Sequence, residues 1–306
     1  KNDKSTSLTI PDTTMLIGHN LCNGCVNLKS IHIGKNVARI GAYAFEGCAI
    51  KQIQIPSSTN LIEDQVFDKC KHLESIDVDI NNNNYCSKDG VLFTKDFNEL
   101  VLWPQAKDSA NYEFPEFSVI FKEAFKDAKK INSINLPESV LEIGQNAFEN
   151  SSLKEIYIPK NTQKIDISAF NGCQLLSKVN ISEDNNHYKT IKDNIVEKPI
   201  NKLVHCFSTD KVITISSDWY KLLKGFLVNN NNVEKLFIKK EIGIIEVCAI
   251  SGCENLKEIH IPFSVFKINK DIGVHAFFKC PNLEKIKVTR RNQYYRSIKG
   301  VLYNKD

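Results

Sequence analysis

The chain repeats one pattern of apolar and polar positions about every 22 or 23 residues, and the copy Leu153–Cys173 shows it most clearly. In that copy Ile156 and Ile158 alternate with polar residues, which is the period-two pattern of a half-buried β-strand. Pro159 follows directly, and because proline has no backbone N–H to donate, it ends the strand. The pattern therefore predicts one short strand in each copy.

Three apolar columns run through these copies. The second apolar position of the strand recurs twelve times, at Ile10, Ile33, Ile55, Val78, Phe114, Leu136, Ile158, Ile181, Ile215, Ile238, Ile261 and Val288. A plus-seven column follows seven residues later, at Ile17, Ile40, Ile62, Phe121, Ile143, Ile165, Leu222, Ile245 and Ile268. A plus-twelve column follows twelve residues after the strand position, at Cys22, Phe45, Phe67, Phe148, Phe170, Leu227 and Ile250. A fixed period of this length with a strand in each copy predicts a solenoid of stacked coils.

The repeat also changes the interpretation of the ten cysteines. Six of them hold the same closing position of the copy, at Cys25, Cys48, Cys70, Cys173, Cys253 and Cys280. Equivalent positions in stacked coils point in parallel into the core, where free cysteine behaves as a small apolar residue. A disulfide instead needs side chains that converge. The ladder favours buried free thiols over the two alternatives, disulfides and a metal site.

The order L-x-x-I-x-I-P, then I-G, then A-F-x-x-C resembles the repeat of the BspA-like leucine-rich repeat family, over nearly the whole chain. Its best copies are Ile50–Cys70, Leu153–Cys173 and Ala38–Cys48. The chain departs from the pattern at Lys211–Asn232 and at Phe263–Cys280, where about four extra residues near 269–273 delay Phe277. We therefore expect a leucine-rich repeat solenoid of about 12 coils, either an α/β-type horseshoe or an elongated right-handed superhelix, with one parallel sheet on the concave face.

Residues 1–306 are predicted to form this single solenoid in three blocks, 1–80, 109–183 and 210–290. The period breaks after each block, which predicts β-hairpin insertions at 81–108, 184–209 and 291–306. Their paired runs are Val91–Phe93 with Leu100–Trp103, and Ile195–Val196 with Leu203–Phe207. The third insertion matches the first from Tyr295 onward and lacks the second run, so we expect the sequence to be an excised piece of a longer protein.

Charge and hydropathy suggest neither a nucleic-acid partner nor membrane insertion. The net charge of +4 is mild and basic and acidic residues alternate, so no basic block predicts a nucleic-acid surface. No apolar run is long enough to span a bilayer. Two asparagine runs, Asn81–Asn84 and Asn229–Asn232, are predicted to lie in loops.

The sequence also lacks the motifs of nucleophilic, metal-dependent and phosphate chemistry. Its seven histidines are scattered over several repeat positions. His205 and Cys206 are neighbours on a predicted strand, where adjacent side chains point to opposite faces. We expect no enzyme, no cofactor and no metal.

The candidate binding surface is the column that lies between the two strand isoleucines and faces out of the sheet. Its predicted protein-binding members are His32, Gln54, Glu113, Asn135, Tyr157, Asn180, Phe237, His260 and Lys287. We single out Tyr157, Phe237 and His260, because exposed aromatic residues on a rigid sheet are enriched at binding hot spots. The plain alternative is that aromatic residues favour strands. Charged residues such as Glu155 and Glu258 are expected to form a solubilising rim.

The aromatic first insertion, with Tyr85, Phe93, Phe97 and Trp103, is a second candidate surface, although simple attachment to the solenoid flank also accounts for it. The family resemblance implies a cell-surface or secreted adhesin-like protein of a bacterium or protist that binds host extracellular-matrix or cell-surface proteins. Fibronectin and fibrinogen are partners by resemblance only, and the asparagine runs favour a protist. The alternative is a cytoplasmic scaffold or adaptor, because reduced cysteines suit a reducing compartment.

Overall fold

The computed structural model describes residues 5–110, 112–166, 168–191, 194–198, 202–205, 210–215, 221–222, 224–271 and 274–305. These residues form short strands and turns and contain no helix. The expectation of an α/β-type horseshoe is therefore wrong in its helical part. The A-F-x-x-C segment shows why, because Tyr43 and Gly47 adopt left-handed φ angles of 59° and 71° that a right-handed helix excludes. The chain divides into two compact units, 1–153 and 154–306.

The strands of the first unit are β1 (Ser7–Thr9), β2 (Leu16–Ile17), β3 (Ser30–His32), β4 (Arg39–Ile40), β5 (Gln52–Ile55), β6 (Leu61–Ile62), β7 (Ser75–Val78), β8 (Tyr85–Lys88), β9 (Val91–Thr94), β10 (Glu99–Leu102), β11 (Val119–Ile120), β12 (Ser133–Asn135) and β13 (Glu142–Ile143). Those of the second unit are β14 (Glu155–Ile158), β15 (Lys164–Ile165), β16 (Lys178–Ile181), β17 (Tyr188–Ile191), β18 (Asn194–Glu197), β19 (Lys202–His205), β20 (Val212–Ile215), β21 (Lys221–Leu222), β22 (Leu227–Val228), β23 (Lys235–Ile238), β24 (Ile244–Ile245), β25 (Ile250–Ser251), β26 (Glu258–Ile261), β27 (Lys267–Ile268), β28 (Lys270–Asp271), β29 (Val274–His275), β30 (Phe277–Phe278), β31 (Lys285–Val288), β32 (Tyr295–Ile298) and β33 (Val301–Asn304).

Parallel ladders in the first unit confirm the predicted stacking. The strands that carry the outward column pair in parallel, β1 with β3 and β5 with β7. Along the plus-seven column β2, β4 and β6 form one sheet that aligns Ile17, Ile40 and Ile62. All three are packed inside with Phe45 and Phe67, whose rings stack at 6.0 Å. Each coil thus buries its apolar face only against the next coil.

Two sequence assignments near the first insertion are wrong. Phe114 was expected on a strand, but residues 112–117 form none. Phe121 was expected in the plus-seven column, whereas Ile120 holds that place, pairing with Ile143 in β13 and with Leu100 in β10. Strand β10 of the insertion lies beside β11, where a preceding coil would otherwise lie. The plus-seven position is therefore one residue earlier than expected in this coil.

The second unit contains the longest ladder, the parallel sheet β20-β23-β26-β31. Two further parallel sheets, β21-β24-β27 and β22-β25-β30, continue the plus-seven and plus-twelve columns. Phe277 pairs with Ile250, which confirms that the extra residues only delay it. The small hairpin β28–β29 holds those residues, of which 272 and 273 lie outside the described part. Strands β14 and β16 of this unit also pair in parallel.

The closing cysteines have a shared structural role. The thiol of Cys48 donates to the carbonyl of Cys22, that of Cys70 to Phe45, and that of Cys253 to Leu227. Each acceptor is the plus-twelve residue of the preceding coil. No disulfide joins the cysteines of the described residues, and burial raises the pKa of Cys70 to about 12. These three thiols therefore satisfy carbonyl groups of the preceding coil.

Each insertion starts from one motif, N-x-x-Y, which in the first insertion lies in the run Asn81–Asn84 that was predicted to be a loop. In the first, buried Asn82 donates through Nδ2 to the carbonyls of Pro56 (2.8 Å) and Thr59 (2.9 Å) of the previous coil. Its Oδ1 accepts from the backbone of Asn84 and Tyr85. Asn185 repeats the four bonds, donating to the carbonyls of Pro159 and Thr162 and accepting from the N–H groups of His187 and Tyr188. Asn292 repeats them with Pro262, Val265, Tyr294 and Tyr295.

The tyrosine of the motif closes the plus-seven column. The hydroxyl of Tyr85 accepts from the N–H of Ile62 at 3.2 Å, and the other two insertions repeat the bond with Tyr188 and Tyr295. The first two insertions are three-stranded antiparallel meanders, β8-β9-β10 and β17-β18-β19, whose first strand the sequence analysis missed. The third insertion contains the paired strands β32 and β33. Of the predicted second-insertion run, 206 and 207 lie outside the described residues.

The insertions also end the ladder of outward-facing strands. The N–H of Ile76 in β7 donates to the carbonyl of Gly90 at 2.9 Å, and that of Ile286 in β31 donates to Gly300 at 2.8 Å. Both glycines, with φ of 79° and 86°, occupy the second place of a tight turn in which the preceding residue also has positive φ. A Cβ on Gly90 would lie 2.5 Å from Oγ of Ser75. The predicted parallel sheet is therefore divided into segments at the insertions.

Candidate functional site

The outer face of β20, β23, β26 and β31 carries the most organised set of predicted surface residues. Strand alternation buries Ile213, Leu236 and Ile259 on one side, so the residues that follow them point outward. The ladder aligns these outward residues in one row, Thr214, Phe237, His260 and Lys287. We call this row, together with Glu258, the aromatic row.

Phe237 and His260 form the centre of the aromatic row. Their rings stack with centroids 4.1 Å apart and planes 23° apart. Both side chains are half-buried, since each ring covers one face of the other. Because neighbouring parallel strands lie about 4.8 Å apart, adjacent outward rings meet without distortion of the backbone. The pair is a preformed flat surface on a rigid sheet.

Glu258 holds two members of the row in place. Its Oε1 lies 2.6 Å from Nε2 of His260 and 2.5 Å from Nζ of Lys287. The hydrogen bond from the Lys287 ammonium is the largest favourable influence on this carboxylate, and it lowers the pKa of Glu258 below its ordinary value. The sequence analysis placed Glu258 in a solubilising rim. Its position two residues before His260 on a strand was the available signal, since residues i and i+2 share a face.

A smaller version of the same arrangement lies on β14 and β16. Tyr157 and Asn180 are aligned by the ladder. Glu155, again two residues before the aromatic position, accepts from Nδ2 of Asn180 at 2.9 Å and from Nζ of Lys178 at 2.5 Å. The sequence E-I-Y-I thus repeats the arrangement of E-I-H-I in β26. In both cases the glutamate fixes polar groups of the following coil.

The first unit does not organise its predicted surface residues in this way. His32 and Gln54 are exposed on strands that belong to separate sheets. Glu113 lies on the non-strand segment and Asn135 on β12, and they line opposite walls of an open depression of about 490 Å³. The structure therefore brings together Tyr157 with Asn180, and Phe237 with His260 and Lys287.

The described part of the chain contains no group of three or more His, Cys, Asp or Glu side chains placed to hold a metal ion. Within the same residues, no helix has the length and apolar character needed to cross a membrane. Cys206, half of the His205–Cys206 pair, lies outside the described residues.

A family model described as BspA type Leucine rich repeat region, in 6 copies, matches residues 1–116, 105–225 and 221–299. A leucine-rich repeat protein from Eubacterium ventriosum has a solved structure that is 19% identical, with a TM-score of 0.50 over 94% of this chain and 79% of that one. A leucine rich cell surface protein from Faecalibacterium prausnitzii is 22% identical, with a TM-score of 0.47 over 94% of this chain and 61% of that one.

The pneumococcal vaccine antigen PcpA is 18% identical, with a TM-score of 0.48 over 94% of this chain and 63% of that one. This chain thus spans about three fifths of the length of the Faecalibacterium and pneumococcal proteins. No curated protein matches the sequence. The likeness to the Eubacterium structure shows a leucine-rich repeat fold.

Proposed function

We propose that this chain, which belongs to the BspA type leucine rich repeat family, is a non-catalytic recognition solenoid that acts as an adhesin-like protein at a cell surface. The observation that carries the proposal is the stacked Phe237–His260 pair on the outer face of a four-stranded sheet. Aromatic side chains held in one conformation lose little entropy on binding, and such residues dominate the energy of protein interfaces.

The charges around the pair support a protein partner with both apolar and charged groups. Glu258 keeps His260 and Lys287 in defined positions, so the polar contacts of the row are preorganised. At the edge, Glu234 lies 2.9 Å from Nζ of Lys211 and 3.7 Å from Nζ of Lys257. Exposed pairs of this kind contribute specificity more than affinity. The expected interface therefore has an aromatic centre and a mixed-charge rim.

Host extracellular-matrix and cell-surface proteins are the proposed partners, and the family resemblance makes fibronectin and fibrinogen the first two to test. The variant Phe237→Ala with His260→Ala should bind the recognised protein at least about tenfold more weakly, since it removes the aromatic centre. Binding to the immobilised matrix protein by surface plasmon resonance measures this loss.

The matched control is Thr9→Ala with Ser30→Ala, which removes two outward side chains from β1 and β3 of the first unit. This control should leave affinity unchanged. Equal binding by the wild-type chain and both variants would place recognition elsewhere, and absence of binding to either matrix protein would overturn the proposed partner class. Far-ultraviolet circular dichroism of each variant establishes that the ladder is intact.

A cytoplasmic scaffold or adaptor is the second candidate function, and the lack of disulfides among the described residues favours it. Cys48 and Cys70, on neighbouring coils, are both reduced. Reducing compartments preserve such thiols. Antibody staining of intact against permeabilised cells separates the two functions, because an adhesin is stained on intact cells and a scaffold only after permeabilisation.

A further inference from the structure

The first unit contains a gap in its ladder of outward-facing strands. In the regular coils, a residue at the start of a strand donates its N–H to the preceding coil, as Ser75 of β7 does to Lys51. No backbone hydrogen bond joins the described segment 112–116 to β12, the strand that follows it. The open depression of about 490 Å³ lies between them, lined by Tyr112, Phe114, Ser133 and Ile134 among others.

The first insertion bonds the segment that forms one side of the gap. The hydroxyl of Tyr112 donates to the carbonyl of Lys88, and Nζ of Lys88 donates to the carbonyl of Glu113 at 2.9 Å. The Tyr112 ring also meets the buried Trp103 edge to face at 4.9 Å. These contacts attach the segment to the first insertion.

The β12 edge consequently presents main-chain groups to the gap. Parallel pairing directs the N–H and C=O groups of the outward residues toward the preceding coil, as the Ser75 bond and the bond from Asp79 to Ile55 show. The outward residues of β12 are Ser133 and Asn135, and both are exposed. An exposed strand edge with free donors and acceptors is a template for an added strand.

Charge on the gap wall indicates which peptide fits. The carboxylate of Glu113 lines the depression, and Asp89 and Asp108 line the adjoining hollow. Lys107 also lines that hollow, with its ammonium over the rings of Trp103 and Tyr112, at 5.8 and 5.4 Å from their centroids. Together with Lys88, which donates to the Glu113 carbonyl, this gives two ammonium groups against three carboxylates. A peptide that carries a lysine or arginine is therefore complementary to this wall.

We propose that the gap between residues 112–114 and β12 binds an extended peptide strand that carries a basic residue. Main-chain bonds to Ser133 and Asn135 provide affinity, and Glu113 selects the basic side chain. Tyr112 and Ile134 provide an apolar floor. This site lies in the other unit from the aromatic row, and it does not rest on the function proposed for that row.

Hydrogen exchange of the whole chain tests the gap itself. Ser133 and Ser75 occupy equivalent positions of β12 and β7, but only Ser75 donates to a preceding coil. The Ser133 amide should exchange at least about tenfold faster than the Ser75 amide, because bonded amides exchange only through opening of the structure. Equal protection of the two amides would show a closed ladder and overturn the proposal.

Peptide selection tests the binding. The probe is a phage library of seven-residue peptides in which alternate positions are restricted to Val, Ile, Thr and Tyr, selected on the intact chain. Enriched peptides should contain Lys or Arg and should slow exchange at Ser133 and Asn135. Asn135→Pro should weaken them at least about tenfold, since it removes one gap-facing N–H at a site where an edge strand tolerates proline.

Two charge reversals complete the test without altering the backbone. Glu113→Lys should also weaken the peptides, whereas the neighbouring exposed Glu116→Lys should not. The variant Phe237→Ala with His260→Ala should bind them as the wild-type chain does, which separates this site from the aromatic row. Failure to enrich peptides, protection of other amides, or equal binding by Glu113→Lys and Glu116→Lys would each overturn the proposal.

Discussion

The first and third insertions share one internal design but differ in what covers them. In the first, Val91 and Phe93 of β9 are fully buried, whereas their counterparts Val301 and Tyr303 of β33 are 54% and 44% exposed. β9 pairs with β10, and the Phe93 ring lies 5.9 Å from that of Phe117 in the coil that follows. The difference in burial therefore comes from the segments that pack against the hairpin and not from the hairpin itself.

The internal bonds of the two insertions are the same. Asn82 and Asn292 each make four hydrogen bonds, two to carbonyls of the preceding coil and two from backbone N–H groups of their own insertion. Tyr85 and Tyr295 each accept from the N–H of a plus-seven residue. Each hairpin is aligned by the same antiparallel register. The comparison teaches that the N-x-x-Y motif and its turn specify the hairpin, while burial of its apolar face depends on what is packed against it.

The largest expected difference is between Phe93→Ala and Tyr303→Ala. Phe93→Ala should lower the free energy of unfolding by about 3–5 kcal/mol, because it leaves a cavity in a closed core. Tyr303→Ala should cost less than about 1 kcal/mol, as substitutions at exposed positions usually do. Urea unfolding measures both values, and similar losses would show that the two hairpins are covered alike.

Asn82→Ala and Asn292→Ala should cost the same amount, about 2–3 kcal/mol each, since both leave buried carbonyl and N–H groups without partners. Hydrogen exchange at the amides of Tyr85 and Tyr295 assigns each loss to its own insertion. A much smaller effect at Asn292 would mean that the covering coil, and not the motif, holds the first hairpin.

Tyr85→Phe and Tyr295→Phe should each cost about 1 kcal/mol, the usual contribution of one hydrogen bond. The two substitutions remove the acceptor for the N–H of Ile62 and Ile268 and leave the ring in place. Thermal unfolding of the two variants provides the measurement. A loss of stability in Tyr85→Phe alone would show that the bond contributes only where other segments pack over the insertion.

The smallest expected effect concerns reactivity and not stability. Cys86 of β8 donates its thiol to the carbonyl of Thr94 at 3.2 Å, and burial raises the pKa of Cys86 above its ordinary value of 9.0. Its alkylation by iodoacetamide should therefore still accelerate as the pH rises beyond 9, because the thiolate is the reactive form. Phe93→Ala should speed the reaction at every pH, and mass spectrometry of the labelled peptide detects both changes.

Much of the fold could be predicted because each coil of a solenoid repeats the same local sequence pattern. The strand, proline and plus-seven positions recur with the period of one coil, so the columns of Ile17, Ile40 and Ile62 are visible in the sequence. The exceptions are places where a distant segment replaces the preceding coil. Ile120 takes the place expected for Phe121 because β10 is its neighbour, and residues 112–117 form no strand because the hairpin binds Tyr112.

The candidate site was less predictable, since its geometry depends on contacts between coils. Strand alternation correctly predicts that Phe237 and His260 point outward, yet their stacking at 4.1 Å requires the ladder register. Glu258 gains its role from Lys287 of the next coil. The asparagine runs looked like composition alone, although one asparagine in the first run, Asn82, is buried with its bonds satisfied.

By itself, the sequence of this protein determined the coil period, the inward and outward faces of each strand and the positions of the insertions. Those features follow from backbone alternation and from residues such as Pro159 that act within a few positions of themselves. Only the tertiary structure decided which outward residues meet, which segments pack on the first hairpin and where the ladder opens beside Ser133. Such choices depend on segments that are distant in sequence and compete for the same hydrogen bonds and the same apolar surface.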